Sequence, residues 1–111
     1  MLRVKTSHIT YRGDNRLDIT VKSGSKLGKV FAPSWDMVMG YKKGKISKDE
    51  YTKKYYERMR RSYVKETEKW NELLAKKEIV LCCYCKKGDF CHRLLLADIL
   101  VKLGAVYEGE V

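Results

Sequence analysis

The run Ile79-Val80-Leu81-Cys82-Cys83-Tyr84 constrains the fold more than any other stretch of the chain. An uninterrupted apolar strand has no face for water. It belongs at the centre of a sheet covered on both sides, the usual setting of a parallel strand. Gly88 and Asp89 break the run, and Cys91 starts a helical stretch. Leu94, Leu95, Ile99 and Leu103 are expected to form that helix's buried face, with Gly104 as its stop. Strand, loop and helix in this order predict a small α/β fold. Its sheet is open and mainly parallel, flanked by helices in a Rossmann-like three-layer arrangement, with the site at the carboxyl ends of the strands.

The rest of the chain supplies the remaining elements. Val4 to Tyr11 is rich in β-branched and aromatic residues and reads as a strand. Gly13-Asp14-Asn15 is a turn, and Leu17 to Val21 alternates as a second strand. Ser23 to Lys29, with Gly24 and Gly28, reads as a loop. Ser34 caps a short helix that Gly40 or Gly44 closes. Ser47 with Glu50 forms a capping box. From there to Lys77 there is neither Gly nor Pro, and Tyr51, Tyr55, Met59 and Tyr63 recur every four residues before Trp70, Leu73 and Leu74. This predicts one long helix, or two joined near residues 64–68, with Lys53, Lys54, Arg58, Arg60, Arg61 and Lys65 on the opposite face. Val106 and Tyr107 suit a short edge strand. Residues 1–111 read as one domain.

The net charge is +10 and unevenly spread. Residues 1–30 carry seven Lys or Arg against two Asp, and residues 45–77 carry eleven basic against six acidic residues. Such a field favours an anionic partner, a nucleotide or nucleic acid among others, although a solvated surface has the same composition. No apolar run approaches the roughly 20 residues of a membrane span. The charged N-terminus is no secretory signal. A cytoplasmic setting without a membrane partner is therefore expected.

All four cysteines, Cys82, Cys83, Cys85 and Cys91, fall within ten residues. Disulfide scaffolds spread their cysteines, whereas a cluster suits a local thiol or metal function. Cys91 at a helix start, beside Arg93 and a protonated His92, is placed to be a thiolate nucleophile. Arg93 and the helix N-terminus form an anion clamp on this reading. Ser7, Lys22 and Ser23 at neighbouring strand ends complete the pocket, and His92 carries a proton. Cys83 and Cys85 share the strand face away from Cys82. No cofactor is required. The alternative is zinc held by Cys83, Cys85, Cys91 and His92, although the adjacent Cys91 and His92 cannot easily face one ion. A bland alternative leaves Cys82 as core and His92 as a helix-start residue.

Leu81 to Arg93, LCCYCKKGDFCHR, resembles the YeaO-like domain-of-unknown-function family, with its hydrophobic strand, Cys-Tyr-Glu or Cys-Glu, short loop and Cys-His-Arg. Ala32-Pro33-Ser34-Trp35 before a Tyr-rich helical stretch, Thr6-Ser7, and Ile19 to Ser23 extend the likeness toward the version found in phages and bacteria. The resemblance puts the motif on Cys83, Tyr84, Gly88, Phe90, Cys91, His92 and Arg93. Cys85 stands where the family usually has Glu, and Lys87 where Pro is frequent. The first departure removes a candidate general base and adds a second thiol. The resemblance implies a fold and a site but no reaction. It is also compatible with a non-catalytic binder such as a phage inhibitor in a host cytoplasm, or with a zinc- or redox-controlled adaptor.

Overall fold

The computed structural model describes residues 1–85 and 90–111. Four strands, β1 (Arg3–His8), β2 (Arg16–Asp18), β3 (Glu78–Cys83) and β4 (Val106–Glu110), form one sheet in the order β2-β3-β1-β4. Every neighbouring pair is parallel. As the apolar run requires, β3 is central, and Ile79 to Cys83 are each no more than 2% exposed. Five helices flank the sheet in a three-layer α/β arrangement: α1 (Lys26–Lys29), α2 (Trp35–Lys42), α3 (Lys48–Lys65), α4 (Thr67–Leu74) and α5 (His92–Lys102). The sheet is all-parallel rather than mainly so.

Strand β1 stops at His8, short of the expected Tyr11. The Thr10 amide turns back to His8 Nδ1 and the Tyr11 amide to the His8 carbonyl. The chain then crosses to the far side of β3, where the Asn15 carbonyl accepts from Val80 N. The stretch expected as a loop at 23–29 contains α1. Ser25 caps it by accepting from the Gly28 amide at 3.0 Å, and Ser23 Oγ ties the approach to the Asp18 carbonyl at 2.7 Å. Gly28 permits this packing, because a Cβ there would lie 1.9 Å from the Asp18 carbonyl oxygen.

The capping signals are realised. Ser34 accepts from Met37 N and Ser47 from Glu50 N, each satisfying a helix-start amide. The long helical stretch divides at Glu66, which leaves helical geometry at φ −118° and ψ 39°. Tyr51, Tyr55, Met59, Trp70 and Leu73 are buried, but Tyr63 is exposed and packs its ring edge against Trp70. Trp70 meets Phe31 edge-on at 4.8 Å and donates to Ser62 Oγ, which in turn donates to the Val30 carbonyl.

Helix α5 departs from the expected pattern. Its buried residues are His92, Arg93, Leu96, Ala97 and Leu100. Leu94 and Leu103 are exposed, while Leu95 and Ile99 pack half-buried against the core. The buried stripe opens on two polar residues because the helix begins over the site. Gly104, at φ 107°, ends it in a conformation costly for other residues.

Candidate functional site

Parallel pairing sets Cys83 beside His8, Asp18 beside Cys82 and Glu110 beside Thr6. The carboxyl ends of all four strands therefore meet along one edge, and α5 begins over it. Cys91 is the N-cap of α5, at the positive end of the helix dipole. The sulfurs of Cys83, Cys85 and Cys91 lie within 4.8 Å of one another. Cys83 and Cys91 are in sulfur contact, with their Cα atoms 7.9 Å apart. Ordinary disulfides span about 4.4–6.8 Å between Cα atoms, so a relaxed bridge would draw the strand end and helix start together.

Arg93 organises this cluster. It is completely buried, and Nη1 donates to Cys83 Sγ at 2.8 Å and to the Cys85 carbonyl at 3.0 Å. Nε and Nη2 donate to the two carboxylate oxygens of Glu110 at 3.2 and 2.7 Å. Thr6 Oγ1 donates to Glu110 and also meets the Tyr107 hydroxyl. The guanidinium thus links the ends of β3 and β4 across β1. This corrects the expected anion clamp: the bidentate fork is filled by Glu110.

His92 is also corrected. The Ile19 carbonyl can only accept, so the 2.7 Å contact places a proton on Nε2. Burial lowers the pKa of the ring to about 4; the Ile19 hydrogen bond and Asp18 act the other way, and Arg93 acts with burial. The ring is neutral at pH 7. Nδ1 keeps its lone pair and faces Cys91 Sγ at 3.6 Å, where it can accept from the thiol.

Aromatic rings gather at the start of α5. Phe90 packs against Tyr41 at 5.4 Å and Tyr51 at 5.5 Å, and Tyr55 lies beside His92. Burial first, then the charges of Cys85 and Tyr41, push the Tyr51 phenol well up, so it stays protonated. Cys91 is 3% exposed and Cys83 1%, whereas Cys85 is half-buried. Cys91 Sγ meets the sulfur of Cys83 and the imidazole of His92.

Other expected residues lie elsewhere. Ser7 pairs with Cys82 and shares its face of the sheet, away from Cys83. Cys82 is a core thiol whose pKa burial raises. The Ser23 hydroxyl is committed to the α1 turn. Lys22 lies over the Trp35 ring at 5.4 Å. Gly88 falls outside the described residues. Glu110, Thr6 and Ile19 belong to the site; Thr6 and Ile19 lie in stretches that carry the family likeness, whereas Glu110 is marked by no sequence motif. Glu110 does have an indirect signal, because an Arg in the first turn of an apolar helix needs a carboxylate if it is to be buried. Three thiols at this spacing also offer a ligand set to a thiophilic cation. His92 is not one of that group.

An all-parallel sheet with strand-end thiols gathered against the next helix defines a three-layer α/β protein with a cysteine-centred site. Within that class the chain belongs to the DUF488-N3a family, described as the active DUF488-N3 subclade, whose match spans residues 8–104. This is a domain-of-unknown-function family, and DUF488 is the family to which the YeaO name belongs, so the resemblance at Cys83 to Arg93 holds. No curated protein and no solved structure matches the chain.

Proposed function

We propose that the protein is a thiol enzyme in which Cys91 is the nucleophile and the substrate is an anionic nucleotide or nucleic acid. The observation that supports this reading is the convergence on one sulfur cluster of a buried guanidinium and a neutral imidazole of fixed tautomer. In the reaction, the Cys91 proton passes to His92 Nδ1 as the sulfur bonds to an electrophilic carbon or phosphorus. The leaving group departs with its bonding electrons and takes that proton from the imidazole. An imidazolium in so buried a place is a short-lived proton carrier, quick to protonate the leaving group. Arg93 holds negative charge on the sulfur pair. The subclade's description as active agrees with this reading, and the excess of basic residues favours an anionic substrate.

The test is residue-resolved alkylation with iodoacetamide at pH 7, read by mass spectrometry. Cys91 should react at least about tenfold faster than Cys82, since only a thiolate attacks efficiently. His92→Gln, which can keep the donor to Ile19, should slow Cys91 and leave Cys85 unchanged. A Cys91 rate equal to that of Cys82 and indifferent to His92 would overturn the proposal. So would stoichiometric zinc in freshly purified protein, which would make the three thiols ligands.

A further inference from the structure

A second feature lies away from the thiols, on the C-terminal half of α3. Lys26 and Lys29 of α1 form one wall of a groove, with Arg58, Arg61 and Lys65 of α3 and Lys69 of α4 opposite. Among the described residues, Glu66 is the one carboxylate in its lining. Among the same residues, none of these six cations has a carboxylate within 4.0 Å. The groove is also firmly built. Arg58 Nε donates to the Ala32 carbonyl at 2.9 Å, which fixes the guanidinium. The Ser62 hydroxyl is pinned between Trp70 and Val30.

Six cations against one carboxylate around a single concavity, none of them ion-paired among the described residues, repel each other, and an anionic occupant relieves that repulsion. The occupant must be extended. Arg58 to Lys65 covers about 10 Å of helix at 1.5 Å per residue, and Lys69 lies farther on. A single small anion cannot meet so many charges. A folded protein partner would need apolar anchors at the centre of its interface, and among the described residues the only aliphatic side chain lining this groove is that of Val30. Interfaces with nucleic acid are polar and strongly basic.

We propose that the α1–α3–α4 groove binds one sugar-phosphate strand of a nucleic acid, through its phosphates and without reading base sequence. Lys and Arg meeting phosphate oxygens set position, not sequence, and no aromatic side chain among the described residues lines the groove to stack a base. The inference stands on charge and shape alone and does not need turnover at Cys91. Arg61 and Tyr51 are ten residues apart on α3, about 15 Å along its axis, so the two features are separate.

The experiment is fluorescence anisotropy of a labelled single-stranded oligonucleotide of mixed sequence titrated with the full chain. Binding should weaken as salt rises. The double variant Arg61→Glu, Lys65→Glu should lose at least about tenfold in affinity, and its salt slope should shrink by about 1.4, two contacts at roughly 0.7 each. Both side chains are exposed, so an unchanged urea midpoint checks that the variant folds. Iodoacetamide should alkylate Cys91 at the parent rate in this double variant, which separates failure of the groove from failure of the thiol chemistry. Salt-independent binding, or an affinity untouched by the double reversal, would overturn the inference. Equal competition by polyglutamate of matched charge would also overturn it, in favour of an acidic polypeptide.

Discussion

A guanidinium with no exposed surface needs a carboxylate, and Arg93 takes both oxygens of Glu110. Removing the carboxylate would take its bidentate partner from a buried charge. Glu110→Gln should therefore lower stability by about 3–5 kcal/mol, read from urea unfolding, while also loosening Arg93 from Cys83. A cost below about 1 kcal/mol would mean that the other partners of Arg93 hold its charge. His92 makes a different demand. Its ring titrates at 6.5 when unfolded and at about 4 when folded. Between those values the unfolded chain holds a proton that the folded chain lacks, so stability rises with pH. The contribution is complete above about pH 6.5 and is lost progressively as pH falls to 4. The difference amounts to about 3 kcal/mol at most. Urea midpoints at pH 4.5 and 7 should diverge in the parent protein, and His92→Gln should remove that part of the divergence. An identical slope in the variant would assign the acid sensitivity to other groups.

The elements with strong local signals are legible in the amino-acid sequence. Ser34 and Ser47 announce helix starts with their own side chains, and the apolar run of β3 admits little but a central strand. What is not legible depends on contacts between distant segments. Helix α1 is only one turn long and owes its place to Gly28 packing beneath the Asp18 carbonyl, which no local periodicity reports. The buried face of α5 does not follow its hydrophobic stripe, because the first turn buries His92 and Arg93 to serve the site. Sequence spacing is enough to group Cys83, Cys85 and Cys91. It does not point to the partner of Arg93, because Glu110 arrives on a strand paired to the opposite end of the chain. The Gly28 argument carries a prediction at this scale. Gly28→Ala must push α1 off the end of β2, since the obstructing atom is backbone and cannot rotate aside. A loss of about 1–3 kcal/mol in urea unfolding is expected. A neutral result would show that α1 can shift freely without loosening the core.

At the scale of the whole molecule, charge is the least balanced quantity. The chain carries +10, yet among the described residues ion pairs join only Arg3 to Glu78, Arg93 to Glu110 and Lys102 to Asp98. Of these, only the Arg93 pair is buried, so the surface field is opposed mainly by solvent and dissolved ions. Folding concentrates like charge that the unfolded chain spreads out, most of all around the α1–α3–α4 groove, and repulsion of this kind is screened by salt. The melting temperature should accordingly rise by a few degrees as sodium chloride goes from about 0.02 M to about 0.2 M, where the screening length shortens from roughly 20 Å to below 10 Å. Arg61→Glu, Lys65→Glu changes the net charge by four, two per reversal, from +10 to +6. Calorimetry of that variant should show a higher melting temperature than the parent at low salt and a shallower response to added salt. If the parent melts at one temperature across the range, the groove's cations do not repel one another strongly, and a ligand would gain little by neutralising them.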